Sequence, residues 1–152
     1  MSHRCAGLLW YLARVQGTHK GLLIKMDLNV LIVDDSSAIR KILVRVLSQT
    51  DLPIKQVHEA SDGAEALKIV EANDVSLILS DINMPNVDGL ELLQKLRLTP
   101  KWKDLSVVMI TTEGSQAKVL EAVQLGAKGY VRKPFTADQI KEKVLACLKP
   151  AE

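Results

Sequence analysis

The stretch LNVLIVDDSS, residues 28–37, sets a short apolar run against two consecutive carboxylates and two hydroxyls. Val30 to Val33 is apolar at every position, as a parallel strand covered on both faces should be. Ser36 and Ser37 then open a helical pattern with Ile39, Leu43, Val46 and Leu47 on one side, broken at Leu52-Pro53. Strand, turn and helix make one βα unit, and the same alternation continues downstream without repeats or low-complexity tracts. Ile54 to Ala60 is a more polar strand. Ser61 or Asp62 caps the next helix, with Glu65 placed for a capping box and Ala66, Leu67, Ile69 and Val70 facing inward, and Asn73-Asp74 ends it. Leu77 to Leu79 is a third strand, Asn83 to Gly89 a turn-rich loop, and Leu90 to Leu98 a helix closed by Thr99-Pro100. Val107 to Ile110 is the fourth strand, and Gln116 to Leu125 a helix stopped by Gly126. Lys128 to Val131 is a short fifth strand, and Thr136 caps a final helix reaching about Leu148.

Five βα units predict an α/β fold: a doubly wound parallel sheet with helices on both faces. The runs VLIV, LIL and VVMI are continuously apolar and belong at the centre; QVHEA and KGYV are mixed and belong at the edges. The strand order is therefore 2-1-3-4-5, the flavodoxin-like (βα)5 arrangement. Its site lies beyond the carboxyl ends of strands 1 and 3, where the winding reverses.

Asp34-Asp35 ends the first apolar run, Asp81 follows the third, Thr111 ends the fourth and Lys133 follows the fifth. A parallel sheet brings all five side chains to one edge. Three clustered carboxylates repel unless a cation sits among them, and carboxylate oxygens suit Mg²⁺, which leaves room for a phosphate oxygen. A hydroxyl and an ammonium beside that point would serve the remaining oxygens of a phosphoryl group. The pattern reads as a site where an aspartate becomes phosphorylated.

Composition narrows the alternatives. The 152 residues are 47% hydrophobic and 25% charged, the balance of one soluble domain. A net charge of +2 gives no argument for nucleic acid. Residues 1–26 hold Arg4, Arg14, Lys20 and Lys25 and no acid, so a basic leader precedes a mildly acidic domain at 27–150. The apolar stretch from Ala6 to Ala13 is too short to span a bilayer and lacks a convincing signal-peptide cleavage site. We therefore expect residues 1–26 to be a poorly ordered extension, with a short partner-docking amphipathic helix as the alternative, and no membrane insertion. Cys5 and Cys147 match no metal spacing or disulfide framework and read as reduced thiols of a cytoplasmic protein. His3, His19 and His58 are isolated.

The four segments DD after strand 1, SDINMPNVDG around strand 3, TTEG after strand 4 and GYVRKPF into the last helix resemble the receiver domain of two-component response regulators. The likeness runs from about Leu28 to Leu148 and is greatest to the CheY-like, single-domain chemotaxis branch. The resemblance implies that Asp81 accepts a phosphoryl group from a sensor histidine kinase. It implies Mg²⁺ as cofactor, held directly by Asp35 and Asp81, through water by Asp34, and by the backbone carbonyl of Asn83. Thr111 would hydrogen-bond the phosphoryl group and Lys133 would pair with it. The Lys133-Pro134 bond would be cis, with Phe135 packed beneath it. Thr111 and Tyr130 would form the switch, and Asn83 and Glu113 would set how quickly water removes the phosphoryl group.

No basic reading helix is present, so output is expected through a protein effector docking on the face formed by the fourth helix, fifth strand and last helix. The domain is thus expected to be a phosphoacceptor and not an enzyme, though it would assist its own phosphorylation and dephosphorylation. Two rivals share the site chemistry: a stand-alone receiver in a non-chemotaxis phosphorelay, and an aspartyl-nucleophile phosphatase. Haloacid-dehalogenase-like phosphatases usually carry a second Asp two residues after the nucleophile, where this chain has Asn83. A degenerate receiver is disfavoured by the intact acidic, Thr and Lys positions.

Overall fold

The computed structural model describes residues 27–148. The extension expected at 1–26, with Cys5, His3 and His19 in it, lies outside the described residues. The chain runs β1 (Leu28–Val33), α1 (Ser37–Gln49), β2 (Ile54–Ala60), α2 (Gly63–Ala72), β3 (Leu77–Ser80), α3 (Gly89–Leu98), β4 (Ser106–Thr111), α4 (Gln116–Gln124), β5 (Gly129–Arg132) and α5 (Ala137–Cys147). The strands form one parallel sheet ordered β2-β1-β3-β4-β5, the order expected from their compositions.

Alternation along each strand divides the core in two. Val30, Ile32, Leu77, Leu79, Val108 and Ile110 face Leu43 and Leu47 of α1 and Ile140 and Val144 of α5. Leu31, Val33, Ile78, Val107 and Met109 face Ala66 and Val70 of α2, Leu92, Leu93 and Leu96 of α3, and Ala122 of α4. Residues 30–33, 77–79 and 107–110 of strands 1, 3 and 4 are apolar at every position because both faces of these strands are covered. Each fully buried side chain of this kind contributes about 1.5–3 kcal/mol. On the edge strand β2 only Ala60 is buried, and His58 sits there, as a strand-edge histidine should.

Helix ends depart slightly from the sequence expectation. α1 stops at Gln49, ahead of Leu52-Pro53, because the Thr50 hydroxyl donates to the Leu47 carbonyl at 2.7 Å and closes the last turn. At α2 the capping box is skewed by one residue. Asp62 caps the Glu65 N–H at 2.8 Å, but the Glu65 carboxylate takes the Ser61 N–H at 2.6 Å, not that of Asp62. The reciprocal box forms instead at α5, between Thr136 and Gln139. A 3-10 turn at Pro100–Trp102, not foreseen in the sequence, follows α3 with Pro100 pre-setting its first position.

Cys147 packs against the α1/α5 core, and burial pushes its thiol from 9.0 up to about 11. Its folded pKa lies above the unfolded one, so its contribution to stability is complete below pH 9.0 and lost as pH rises toward 11. Alkylation by iodoacetamide at pH 8, mapped by mass spectrometry, is expected to leave Cys147 largely unmodified until denaturant is added. Rapid modification in the native protein would contradict this packing.

Candidate functional site

The sheet ladder continues past the strand ends and carries the site residues with it. The Asp34 N–H donates to the Ala60 carbonyl at 3.1 Å, the Asp81 N–H to Val33 at 2.9 Å, and the Lys133 N–H to Thr111 at 3.0 Å. These bonds join three of the four neighbouring strand pairs, and so fix Asp34, Asp81 and Lys133 at one edge of the sheet.

Asp34, Asp35 and Asp81 each place a carboxylate oxygen within 4.8 Å of the others. Asp34 and Asp81 are buried, at 1% and 8% exposure, while Asp35 faces solvent. Lys133 Nζ bridges the buried pair, donating to Asp34 Oδ2 at 2.7 Å and Asp81 Oδ2 at 3.1 Å. Burial draws the Lys133 ammonium down, but the hydrogen bonds and charges of Asp34 and Asp81 outweigh it and hold it above its ordinary value. Asp81 Oδ1 also accepts the Ile82 N–H at 2.6 Å and the Asn83 N–H at 3.4 Å. Its carbonyl accepts the buried Ser80 hydroxyl at 2.8 Å. The donor set around the trio is all-oxygen and anionic, which fits a small hard dication.

The rim is built from the loops after β3 and β4. Asn83 Nδ2 donates to Glu113 Oε1 at 2.9 Å, and Lys118 Nζ donates to Asn83 Oδ1 at 3.3 Å. The Asn83 amide, then the Ser115 N–H, hold the Glu113 carboxyl below its usual range. Thr111 is fully buried, and its Oγ1 accepts the Glu113 N–H at 3.1 Å. The Tyr130 hydroxyl donates to the Glu113 carbonyl at 2.9 Å. The Lys133-Pro134 peptide is cis, and Phe135 packs against the α1/α5 core.

The structure thus joins Asp34, Asp81 and Lys133 by direct contact, with Asp35 completing the carboxylate cluster. Asn83, Thr111, Glu113 and Tyr130 form a second, linked set along the rim. Two residues that the sequence did not single out belong with them. Arg40 of α1 donates through Nη1 to the Asp34 carbonyl at 2.7 Å and through Nε to Glu59 at 3.0 Å, clamping the turn that carries the first two carboxylates. Lys118 closes the rim. A basic residue in the first turn of α4, where the helix dipole disfavours it, was a signal open to sequence reading; Arg40 gave none, because its partners are a backbone carbonyl and a residue of another strand.

Comparison with known proteins points to one family. A sequence profile described as the response regulator receiver domain matches residues 30–145. Chemotaxis protein CheY1 of Helicobacter pylori (strain ATCC 700392 / 26695) is 41% identical over 118 residues, covering 77% of this chain and 94% of that protein. Among solved structures, the chemotaxis response regulator CheY4 of Vibrio cholerae aligns with a TM-score of 0.71 and 34% identity, covering 80% of this chain and 98% of that one. A chain of the CheX-CheY-BeF3-Mg²⁺ complex from Borrelia burgdorferi aligns with a TM-score of 0.72 and 28% identity, covering 81% and 90%. No helix among the described residues is long and apolar enough to cross a membrane. With its strand order, its acidic cluster and its relatives all in agreement, the chain belongs to the response regulator receiver domain family.

Proposed function

We propose that this response regulator takes a phosphoryl group from a histidine kinase onto Asp81, and that it acts in chemotaxis in the cytoplasm. The observation that carries the reading is the meeting of Asp34, Asp35 and Asp81 within 4.8 Å, bridged by Lys133. An Asp81 carboxylate oxygen forms a bond to phosphorus while the bond from the donor's imidazole nitrogen breaks, its electron pair staying on the ring. Lys133 and Thr111 serve the equatorial oxygens of the transferred group. The three carboxylates and the Asn83 backbone carbonyl would hold Mg²⁺, which when bound neutralises charge on the incoming phosphoryl oxygens. Asp35, exposed at the edge of the cluster, is then a ligand whose loss disturbs the metal-free fold little.

In this reading Thr111 shifts toward the phosphoryl group and vacates space for Tyr130, which gives up its bond to the Glu113 carbonyl and turns inward. The face formed by α4, β5 and α5 changes with it and meets a protein effector. A change from mostly off to mostly on requires the phosphoryl group to favour one state by about 5.5 kcal/mol. The signalling unit is residues 27–150, with the basic extension 1–26 outside it. The chemotaxis names of the relatives favour this pathway over another phosphorelay.

Incubation with acetyl phosphate and Mg²⁺, followed by peptide mapping, is expected to place a single label on Asp81 and none when Mg²⁺ is chelated. Mg²⁺ alone is expected to raise the thermal midpoint of the wild type, by the equivalent of about 2.7 kcal/mol at a hundredfold excess over Kd. Asp35→Asn should abolish that rise. A label on another side chain, or an undiminished rise in the variant, would sink the reading.

A further inference from the structure

Asp81 is only 8% exposed, so a phosphoryl donor or a water has a narrow approach to it, past the side chains that border the site. On one side stand Asp34 and Lys133, tied by a 2.7 Å bond. On the other, side chains of the loop after β3 and of the segment after β4 are joined in a small ring. Asn83 Nδ2 donates to Glu113 Oε1 at 2.9 Å, while Lys118 Nζ donates to Asn83 Oδ1 at 3.3 Å and lies 3.6 Å from Glu113 Oε1. Lysine can only donate and an ionised carboxylate can only accept, so the ring fixes which way the Asn83 amide points. The placement of Lys118 is electrostatically adverse within its own helix. It sits in the first turn of α4, where the dipole disfavours a cation and which holds no acidic residue. Outside that turn, Asn83 and Glu113 offset it.

We infer that Lys118 is a positioning residue that latches Asn83 to Glu113 along one side of the mouth, and so slows both the loading and the unloading of Asp81. The inference rests on Asp81 being the phosphoacceptor. In loading from acetyl phosphate, an Asp81 oxygen bonds to phosphorus and acetate leaves with the electron pair of the broken bond. In unloading, a water oxygen bonds to phosphorus and the Asp81–phosphorus bond breaks. Its electron pair returns to the carboxylate, and the proton from water leaves to solvent. Both steps need the approach that the latch narrows. Lys118 is half exposed, with its side chain at 47%, so the latch is weak and opens readily. Its effect on each rate is roughly two- to fivefold, the scale of an exposed ion pair.

The test compares wild type, Lys118→Met and Lys118→Arg. In the metal-free protein, the Asn83 side-chain amide resonance of Lys118→Met is expected to shift and exchange faster with solvent. Labelling by acetyl phosphate with Mg²⁺ and hydrolysis of the label should both accelerate by roughly two- to fivefold, with an unchanged thermal midpoint. Lys118→Arg should restore the wild-type values. An unmoved Asn83 resonance overturns the latch. So does slower, salt-dependent labelling with unchanged hydrolysis, which would mean that Lys118 merely attracts the anionic donor. A wild type that takes no label overturns the acceptor reading and this one with it, whereas a labelled wild type with unchanged Lys118→Met rates overturns this one alone.

Discussion

An Asp81→Asn protein is expected to take no label from acetyl phosphate and Mg²⁺, yet to unfold within about 1 kcal/mol of the wild type. The two halves of this result have separate causes. Acceptance needs an anionic oxygen that can share its electron pair with phosphorus, and a neutral amide offers none. Stability depends on what the carboxylate does in the resting protein, and there the amide replaces most of it. The Asn oxygen can still accept the Ile82 and Asn83 N–H groups that Asp81 Oδ1 accepts at 2.6 and 3.4 Å. The amide nitrogen would face Lys133 Nζ, donor against donor, so the 3.1 Å bond is lost. Lys133 nevertheless keeps its 2.7 Å bond to Asp34, and the cluster sheds one of its mutually repelling charges. The opposing terms are small and of similar size. Urea unfolding at low salt, read beside intact-mass analysis, checks both halves. A labelled Asp81→Asn protein would refute the acceptor role; a grossly destabilised one would mean that the trio holds the fold together.

Much of this site is legible in the sequence because a parallel sheet aligns the carboxyl ends of its strands. Once VLIV, LIL and VVMI are read as central strands, Asp34, Asp81 and Thr111 must gather at one edge. Whether a strand is covered on both faces shows in whether it is apolar at every position, and that fixed the strand order. Boundaries were less legible, since they turn on single hydrogen bonds. Thr50 closes α1 before Pro53 can, and Glu65 reaches Ser61 in place of Asp62. The rim was legible as individual residues but not as a ring. Asn83, Glu113 and Lys118 lie 30 and 35 positions apart in the bonds that join them, and no local pattern reports such pairs. Arg40 is hidden for a different reason, because a backbone carbonyl as partner leaves no mark on residue type.

Gly89→Ala is expected to lower stability by about 2 kcal/mol, roughly 8 °C in thermal midpoint, and to slow acceptance by Asp81 at least tenfold. Helix propensity alone predicts the opposite sign. Gly89 is the first residue of α3, and alanine usually stabilises a helix relative to glycine by about 1 kcal/mol. Space decides the matter. A Cβ at this position would overlap the Asp81 carbonyl oxygen and come within 2.8 Å of Ile82 Cα. That carbonyl has no slack, for it accepts the Ser80 hydroxyl at 2.8 Å, and the Asp81 N–H is tied to Val33 at 2.9 Å. Nor can α3 back away freely, since Leu92, Leu93 and Leu96 are fully buried behind it. The strain therefore falls on the backbone that aims the Asp81 carboxylate. Gly63→Ala, at the start of α2 and packed against Val87 of the loop that leads into α3, provides the comparison. The atoms nearest its Cβ would all belong to Val87, with the carbonyl oxygen at 2.7 Å, so it should lose stability while retaining far more of its acceptance rate. Measuring thermal midpoint and labelling rate for both variants separates general destabilisation from misaimed chemistry. Equal losses of rate at equal losses of stability would show that the fold, and not the position of the Asp81 backbone, sets the reactivity of the site.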